Sequence, residues 1–320
     1  MQRKKILIIR FHAIGDVVLS TIIPQSIKQL YSNYEIHYLT GNVCKNVLEN
    51  CPYVDKILVF NNSIISTLKI LRQEKYDIII SLNYTLKNYV LTYLSFPKKV
   101  SFKSFIGKSW IENYFYTAKK LLPNLKLPKN LHLINSDEQI SNTVSNMLKQ
   151  YPKPHIFINP GKHKKNPRQG RVWNIKKWQE LANKILSKYG GTIFVNGNYE
   201  EKEYHTNLNG ENIVVLSGAL SLKECCAALS LADLVISGDS GPAHIASAYN
   251  TKTLVLLGST SPDKIKPYGE NGYYIEPTTK CKYCWKKKCK MISSSDKYTP
   301  CMESIEPDTV MEKIFINKLL

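Results

Sequence analysis

The chain has 320 residues, of which 43% are hydrophobic and 22% charged, a balance typical of a folded protein and not of a disordered one. Its 44 Lys and Arg residues outnumber 25 Asp and Glu residues and give a formal net charge of +19. Such an excess favours an anionic partner, whether nucleic acid, phosphorylated lipid or a nucleotide sugar, although a general bias towards lysine would give the same value.

The first half of the chain alternates short apolar runs with segments of helical periodicity. The predicted strands are KILIIR, EIHYLT, DKILVF and DIIISL, and the predicted helices are DVVLSTIIPQSIKQLY, VCKNVLEN, IISTLKILRQE and TLKNYVLTYLSF. Apolar strands without alternation, separated by helices, are typical of a parallel sheet covered on both faces. The first apolar run, residues 6–9, is too short for a signal peptide or a membrane span, so we expect a cytoplasmic protein.

A domain boundary is predicted near the middle of the chain. A less regular stretch, about 98–135, is followed by one more predicted helix, SDEQISNTVSNMLKQ, and then by YPKP. Because Pro152 and Pro154 interrupt any helix, we place the boundary between residues 152 and 153.

The second half repeats the alternation of strands and helices. The predicted strands are HIFINPG, TIFVNG, NIVVLSG, DLVISG and TKTLVLLG, and the predicted helices are NIKKWQELANKILSKYGG, SLKECCAALSLA and GPAHIASAY. Asn174 and Ser221 are predicted helix N-caps, and Gly190 a helix stop. The sequence therefore predicts an α/β protein of two doubly wound domains, which bind ligands at the carboxyl ends of the strands and in the cleft between them.

An acidic residue follows the first predicted strand, in RFHAIGDVVLSTIIP. The strand ends at Arg10, Gly15 keeps the loop tight, and Asp16 begins a helix. An acid at this position is usually a helix cap. The same position at a strand end would also let Asp16 face the predicted cleft and act as a carboxylate base.

A basic loop follows the first strand of the second half, in NPGKHKKNPRQGRVWNIKKW. A Gly- and Pro-containing loop with several cations before a helix is suited to holding a diphosphate. A solvated run of charge is the alternative for several of the lysines. Arg171, nearest the helix start, is the strongest candidate among the basic side chains, which are Lys162, His163, Lys164, Lys165, Arg168 and Arg171.

A second strand-to-helix turn lies in VISGDSGPAHIA. Asp239 and Ser240 occupy the turn, and Gly241 and Pro242 begin a helix whose free N–H groups would form an anion site. His244 lies one turn further along and could reach the same ligand. The alternative is a plain turn with a capping aspartate and a core histidine.

Two nucleotide-binding motifs are excluded. The tripeptide GKS at residues 107–109 is not a P-loop, because Phe102 stands where the leading glycine belongs. No G-x-G-x-x-G sequence follows a strand, which argues against a nicotinamide cofactor.

Four of the eight cysteines lie in a lysine-rich arm, residues 281–301, with the sequence CKYCWKKKCKMISSSDKYTPC. In a reducing compartment, thiols so spaced favour a structural zinc site over disulfides. Because the spacing fits no standard zinc finger, free or oxidised thiols stay open as the alternative. The candidate ligands are Cys281, Cys284, Cys289 and Cys301.

Three stretches together resemble glycosyltransferase family 9, the bacterial lipopolysaccharide heptosyltransferases. They are RFHAIGDVVLSTIIP, NPG…GRVWNIKKW and GDSGPAHIASAYNTKTLVLLGSTSPDKIKPYG, and the resemblance extends over nearly the whole chain. It implies a GT-B fold with two Rossmann-like domains facing across a cleft: residues 1–152 on the acceptor side, and residues 153–320, with the cysteine arm, binding the nucleotide sugar. It also implies inverting transfer of a sugar, typically heptose from ADP-heptose, with no metal or cofactor required for catalysis.

The resemblance carries roles to individual residues. Asp16 matches the family's proposed base, and Arg171 stands where many members carry lysine. Either Glu200 or Glu201 would contact the ribose. The positions that match nucleotide and diphosphate contacts are Asp239, Ser240, Gly241 and His244.

The implied partners are a nucleotide-sugar donor and a lipopolysaccharide-type acceptor, with peripheral contact at the inner face of the cytoplasmic membrane. A family member with another sugar donor is one alternative. A basic, non-catalytic nucleic-acid-binding protein is a second, which we do not expect because the basic residues are scattered and no recognition motif of that class is present. Six lysines could meet acceptor phosphates or an anionic membrane, or could form a solvated surface: Lys98, Lys99, Lys103, Lys108, Lys119 and Lys120.

Overall fold

The computed structural model describes residues 4–161, 170–286, 289–292 and 298–320. The chain divides into two compact units, Met1–Ser136 and Asp137–Leu320. Among the described residues, no helix has the length and apolar character needed to cross a membrane.

The first unit is a five-stranded parallel sheet covered by helices, with strand order β3-β2-β1-β4-β5. Its strands are β1 (Lys5–Ile9), β2 (Glu35–Thr40), β3 (Lys56–Val59), β4 (Ile78–Ser81) and β5 (Lys99–Phe102). Its helices are α1 (Ile14–Ser20), α2 (Ile22–Leu30), α3 (Asn42–Leu48), α4 (Ile64–Glu74), α5 (Leu86–Tyr93) and α6 (Trp110–Lys119). The central strand β1 is buried on both faces from Ile6 onwards, as expected for a sheet covered by helices.

The second unit is a six-stranded parallel sheet with strand order β11-β10-β9-β6-β7-β8. Its strands are β6 (His155–Asn159), β7 (Thr192–Val195), β8 (Ile213–Val215), β9 (Leu234–Gly238), β10 (Thr253–Leu256) and β11 (Gly272–Ile275). Its helices are α7 (Glu138–Leu148), α8 (Ile175–Tyr189), α9 (Lys202–His205), α10 (Leu222–Ser230), α11 (Gly241–Ala248), α12 (Pro262–Ile265), α13 (Pro300–Glu303) and α14 (Pro307–Ile316). The caps predicted at Asn174 and Ser221 and the stop at Gly190 are confirmed.

The prediction of two doubly wound α/β units, the architecture of the GT-B class, is confirmed. In each sheet the strand order reverses between two central neighbours, β1 and β4 in the first unit and β6 and β9 in the second. Loops that leave neighbouring strands at such a point diverge to opposite faces of the sheet and leave a crevice for a ligand. Asp16, Arg171 and Asp239 follow the ends of β1, β6 and β9, with Asp16 in the first turn of α1.

The structure departs from the sequence prediction in three places. The stretch expected to be irregular contains β5 and α6, so that prediction is wrong there. The long helix expected from residue 16 to 31 is broken at Thr21 into α1 and α2, because Pro24 has no N–H to donate to the carbonyl four residues earlier. The units divide at residues 136 and 137, not at 152 and 153, because α7 packs against α10 of the second unit.

Candidate active site

Asp16 lies in the first turn of α1, just beyond the carboxyl end of β1, and its side chain is 28% exposed. Its two carboxylate oxygens have different partners: Oδ2 forms an ion pair with the Arg10 guanidinium, and Oδ1 accepts a hydrogen bond of 2.7 Å from the Tyr114 hydroxyl. Arg10 is itself held by the carbonyl of Leu82 and the side chain of Asn83, which follow β4. The carboxylate is therefore fixed at the carboxyl ends of the strands, where sheets of this kind bind ligands.

These contacts bear on the two interpretations of Asp16. Helix α1 begins after Ala13, and no side chain caps it. Both oxygens of Asp16 are directed at Arg10 and Tyr114 instead. Since each carboxylate oxygen has two lone pairs, each can accept a further hydrogen bond from a ligand hydroxyl. The geometry favours a chemical role over a capping role.

A second cation, Lys103, lies beside this group. Its ammonium is 3.8 Å from the ring centre of Trp110 and 5.1 Å from that of Tyr114. Burial, with the nearby Arg10 charge, lowers the pKa of Lys103 to about 8, and the Asp16 carboxylate acts in the opposite direction. Burial is also the main cause that raises the pKa of the Tyr114 hydroxyl, so it remains a hydrogen-bond donor to Asp16 at neutral pH.

In the second unit, Arg171 and Asp239 are brought together as the strand order predicts. The Nε atom of Arg171 lies 3.1 Å from Oδ2 of Asp239, and the same oxygen accepts a 2.7 Å hydrogen bond from the Thr260 hydroxyl. The Asp239 side chain is 8% exposed, whereas that of Arg171 is 38% exposed. One side of the guanidinium is thus anchored, and part of it is accessible to a ligand.

Helix α11 begins two residues after Asp239, at Gly241. Ser240 is its N-cap residue but makes no side-chain capping bond, because its hydroxyl is bonded to that of Ser237 at 2.8 Å. Pro242 occupies the first turn. A helix start without a side-chain cap, beside an arginine, suits an anion. His244 is 7% exposed, which fits the core-histidine alternative better than a ligand contact.

Glycines allow the chain segments of this site to approach each other closely. A Cβ atom on Gly238 would lie 2.8 Å from the carbonyl oxygen of Arg171, and one on Gly258 would lie 2.2 Å from the carbonyl oxygen of Gly170. The Ser259 N–H donates to that same Gly170 oxygen at 2.8 Å. The segment carrying Arg171 therefore packs directly against the ends of β9 and β10.

The cysteine arm contributes Trp285 to this region. Two backbone bonds attach the arm to the loop after β10: Tyr283 N–H donates to Gly258 at 3.2 Å, and Trp285 N–H donates to Ser259 at 2.9 Å. The Trp285 ring centre then lies 5.4 Å from the guanidinium carbon of Arg171, and the side chain is 49% exposed. Arg171 thus lies between a carboxylate and an aromatic ring.

The two glutamates proposed for the ribose differ in their surroundings. Both lie in a short turn, Tyr199–Glu201, after β7. The Glu201 carboxylate accepts a 2.8 Å bond from the Asn198 N–H in a capping box, so it has a structural role. Glu200 is exposed and lies outside that box, which makes it the better candidate.

The four cysteines of the arm do not form a metal-binding cluster in the described parts of the chain. Cys301 is buried and Cys284 is exposed, and no three of the sulfurs lie within 4.8 Å of one another, as a tetrahedral site requires. Burial raises the pKa of the Cys301 thiol, and the Thr299 hydroxyl, 3.2 Å from the Cys301 sulfur, acts in the opposite direction. Metal binding here stays a prediction.

A different trio, Glu35, His37 and Glu74, has ligand atoms within 4.8 Å of one another. Glu35 and His37 lie at the start of β2, and Glu74 lies at the end of α4. The trio is therefore at the amino ends of the strands, whereas Asp16 is at their carboxyl ends. Lys5 and Lys56 donate to Glu74 at 2.8 and 2.5 Å, and these bonds lower the pKa of Glu74 to about 2. Two ammonium groups already pair with Glu74, and one of them with Glu35, so we interpret the trio as a structural ion-pair network.

Several site residues were not identified from the sequence. Arg10 was assigned to the end of a strand, Tyr114 lay in a stretch expected to be irregular, and Thr260 and Trp285 were given no role. The spacing Ser109-x-x-Glu112 is a capping box that indicates α6 and so could have drawn attention to Tyr114. The basic residues from Lys162 to Arg168 lie outside the described residues.

The comparisons with known proteins agree with one another. The family model described as Glycosyltransferase family 9 (heptosyltransferase) matches residues 64–294. The chain is 24% identical to lipopolysaccharide heptosyltransferase 1 of Campylobacter coli, over 97% of this chain and 98% of the relative.

Solved structures share the fold at low sequence identity. The ADP-heptose lipopolysaccharide heptosyltransferase II of Escherichia coli matches with a TM-score of 0.79 at 19% identity, over 98% of both chains. The E. coli heptosyltransferase WaaC, in complex with ADP-2-deoxy-2-fluoro heptose, matches with a TM-score of 0.72 at 16% identity, over 98% of this chain and 99% of that one.

Proposed function

The chain belongs to glycosyltransferase family 9, and from this premise we propose that it transfers heptose from ADP-heptose to a lipopolysaccharide core or a related surface glycan, with inversion at the anomeric carbon. No metal or cofactor takes part in the chemistry. The observation that carries the proposal is the pairing of Arg171 with Asp239 beside the start of α11, at the point where the second sheet reverses its strand order.

The donor would bind in the second unit. The N–H groups of the first turn of α11 and the accessible part of the Arg171 guanidinium hold the diphosphate. The same groups stabilise the negative charge that the departing ADP gains, without a metal ion. Glu200 contacts the ribose. Two of the solved neighbours are consistent with this donor, since one is an ADP-heptose heptosyltransferase and the other binds a fluorinated ADP-heptose.

The acceptor would be activated by Asp16. Its carboxylate takes the proton of an acceptor hydroxyl as that oxygen attacks the anomeric carbon from the face opposite the diphosphate. The new glycosidic bond forms as the bond between the anomeric carbon and the phosphate oxygen breaks. ADP leaves with the electron pair, and Asp16 later releases the proton to solvent. Arg10 and Tyr114 orient the carboxylate throughout.

We place the reaction in the cytoplasm, because nucleotide sugars are charged metabolites that do not cross membranes unaided. Separation of cytosolic, membrane and secreted fractions, followed by detection of the protein in each, tests this location. Recovery of the protein only from the secreted fraction would contradict it.

A thermal-shift series against ADP-, UDP-, GDP- and CMP-sugars tests the donor. A ligand at a hundred times its Kd stabilises the folded state by about 2.7 kcal/mol, which raises Tm by several degrees. We expect this shift with ADP-heptose and ADP, and not with the other nucleotides. An equal or larger shift with a UDP-sugar would overturn the donor assignment while leaving the family intact.

Product analysis tests the reaction itself. The purified protein is incubated with ADP-heptose and a truncated lipopolysaccharide core, with and without EDTA, and the anomeric configuration of the product is read by NMR. We expect inverted product in equal yield under both conditions. Retained configuration, or loss of transfer in EDTA, would contradict the mechanism, and RNA binding without transfer would support a nucleic-acid-binding protein instead.

A further inference from the structure

One buried histidine joins the ends of three strands in the second unit. His205, the last residue of α9, is 0% exposed. Its Nε2 atom lies 3.0 Å from the carbonyl oxygen of Gly161, two residues after β6, and its Nδ1 atom lies 2.6 Å from the hydroxyl of Ser217, two residues after β8. Since α9 itself follows β7, the imidazole connects the segments that leave β6, β7 and β8 at their carboxyl ends.

The partners of the ring determine which nitrogen carries the proton. A carbonyl oxygen can only accept a hydrogen bond, so Nε2 carries the proton and donates to Gly161. Burial lowers the pKa of His205, while the bond to Gly161 and the charge of Glu201 act in the opposite direction. The imidazole is therefore neutral at neutral pH, and its Nδ1 atom accepts a hydrogen bond from the Ser217 hydroxyl. Each ring nitrogen is thus bonded to a different strand end.

The segments around this ring are packed tightly against one another. A Cβ atom on Gly197, in the segment after β7, would lie 2.6 Å from Cε1 of His205. A Cβ atom on Gly218, in the segment after β8, would lie 2.8 Å from the Cα atom of Tyr199. The Gly218 N–H also donates to the Gly197 carbonyl at 2.9 Å. The short turn that carries Glu200 is therefore held against the segment after β8.

We propose that His205 is a positioning residue for the donor: its imidazole fixes the turn that carries Glu200 relative to the ends of β6 and β8. This inference rests on the proposed function, in which Glu200 contacts the ribose and the diphosphate binds at the start of α11, after β9. The strand order places β6 between β9 and β7, so a nucleotide that reaches both groups extends across the end of β6. The bond from His205 to Gly161 links the ribose end of this site to that middle strand.

The alternative is a histidine that only stabilises the fold, and His155 provides the comparison. It is 4% exposed, and its Nε2 atom lies 3.1 Å from the carbonyl oxygen of Tyr151. It is the first residue of β6, at the end of the strand remote from the proposed donor site. Both histidines therefore bond a backbone carbonyl through one ring nitrogen, but only His205 does so at the carboxyl ends of the strands.

Two substitutions separate the contacts of His205. Glutamine places an amide N–H near the position of Nε2, so His205→Gln keeps a donor for Gly161 and loses the bond to Ser217. Asparagine is shorter and reaches only the position of Nδ1, so His205→Asn loses the bond to Gly161. We expect His205→Asn to weaken ADP binding by about tenfold and His205→Gln by less than about threefold, as measured by isothermal titration calorimetry.

Kinetics and a matched control distinguish positioning from a general loss of stability. The donor KM of His205→Asn should rise by about the same factor as the Kd of ADP, while kcat changes little, because His205 touches no reacting atom. The control is His155→Asn, which removes the bond to the Tyr151 carbonyl. It should lower Tm by a few degrees and leave the ADP affinity and the donor KM unchanged.

A second substitution tests whether His205 acts through Glu200. In the Glu200→Ala variant the turn no longer offers a carboxylate to the ribose, so the exact position of the turn matters less. His205→Asn should then weaken ADP binding by less than about twofold beyond Glu200→Ala alone, as for residues that act as a unit. Full additivity of the two losses overturns the proposal.

The remaining outcomes each support the proposal or overturn it. Weaker ADP binding in His205→Asn, recovery in His205→Gln and no loss in His155→Asn support it. An equal loss in His205→Asn and His155→Asn overturns it, and so does wild-type affinity in His205→Asn. If His205→Asn does not fold, Gly197→Ala replaces it, because the added Cβ displaces the ring, and unchanged ADP affinity there overturns the proposal. A wild-type protein that does not bind ADP overturns the proposed function itself, and the inference with it.

Discussion

Arg171 and Asp239 form an ion pair at 3.1 Å although they follow two different strands, β6 and β9, that are neighbours in the sheet. The pair is partly shielded, since Asp239 is nearly buried and accepts a second bond from Thr260. An aspartate so engaged fixes the direction of the guanidinium, and its remaining N–H groups can then meet a phosphate with little loss of side-chain entropy.

The first prediction concerns the carboxylate of the first unit. Asp16→Asn keeps the size of the side chain and can still accept from Tyr114, but it cannot take a proton at neutral pH. Loss of a general base typically costs about 10²–10⁴ in rate, so kcat should fall by that factor while donor affinity stays near normal. Single-turnover transfer and an ADP-heptose titration measure the two quantities, and near-normal turnover would remove Asp16 from the mechanism.

The second prediction is a pH dependence of stability. Burial lowers the pKa of Lys103 to about 8, well below the pKa of a lysine in the unfolded chain. At a pH between these two pKa values, Lys103 is therefore protonated in the unfolded chain and largely deprotonated in the folded chain. The free energy of unfolding should therefore rise with pH above about 8. The gain is on the order of 1 kcal/mol, since solvent screens this half-buried group.

Comparison with Lys103→Met isolates this effect. The Tm of the wild type minus that of the variant should increase as pH rises from about 8 to about 10, because only the wild type has the titrating group. Lys108→Met, a change at a nearby exposed lysine, serves as the control and should show no such trend. A constant difference between wild type and Lys103→Met across this range would contradict the prediction.

The third prediction assigns a positioning role to Trp285. The Arg171 guanidinium contacts the Trp285 ring and the Asp239 carboxylate, and Trp285→Ala removes the first of these contacts. This variant should raise the donor KM by about five- to tenfold with little change in kcat. Trp285→Phe retains a ring face and should restore most of the affinity. Met291→Ala, also exposed in the arm, is the matched control. An unchanged donor KM in Trp285→Ala would argue against the contact.

The fourth prediction concerns metal in the cysteine arm. If the four thiols bind a structural ion, protein purified under reducing conditions should contain about one equivalent of zinc or iron, the metals that four thiolates favour. Replacement of Cys281 and Cys284 by serine should remove the metal and lower Tm. Metal-free wild-type protein of full stability would refute the prediction and leave the thiols free, as the structure has them.

Strand-end reasoning identified Asp16, Arg171 and Asp239, because their positions follow from local pattern and from the strand order of doubly wound sheets. Their partners could not be identified in that way. Tyr114 and Thr260 reach Asp16 and Asp239 only through the folded chain, and no local periodicity encodes such contacts. Strand β5 was missed for a different reason: KVSF has few apolar residues and lies at the edge of its sheet, so its sequence need not be apolar on both faces.

The loop Gly258–Ser259–Thr260 has a consequence for variation in this protein. It supports Asp239 through the Thr260 hydroxyl, the Arg171 segment through the Ser259 N–H, and Trp285 through the Ser259 carbonyl. Because all three residues contact this loop, a change in the loop affects all of them. The free-energy changes caused by substituting them should therefore not be additive. In a library that varies Arg171, Thr260 and Trp285 together, we therefore expect strong epistasis, so that many functional combinations have inactive single-substitution intermediates. Gly258→Ala should weaken the contacts of all three residues at once.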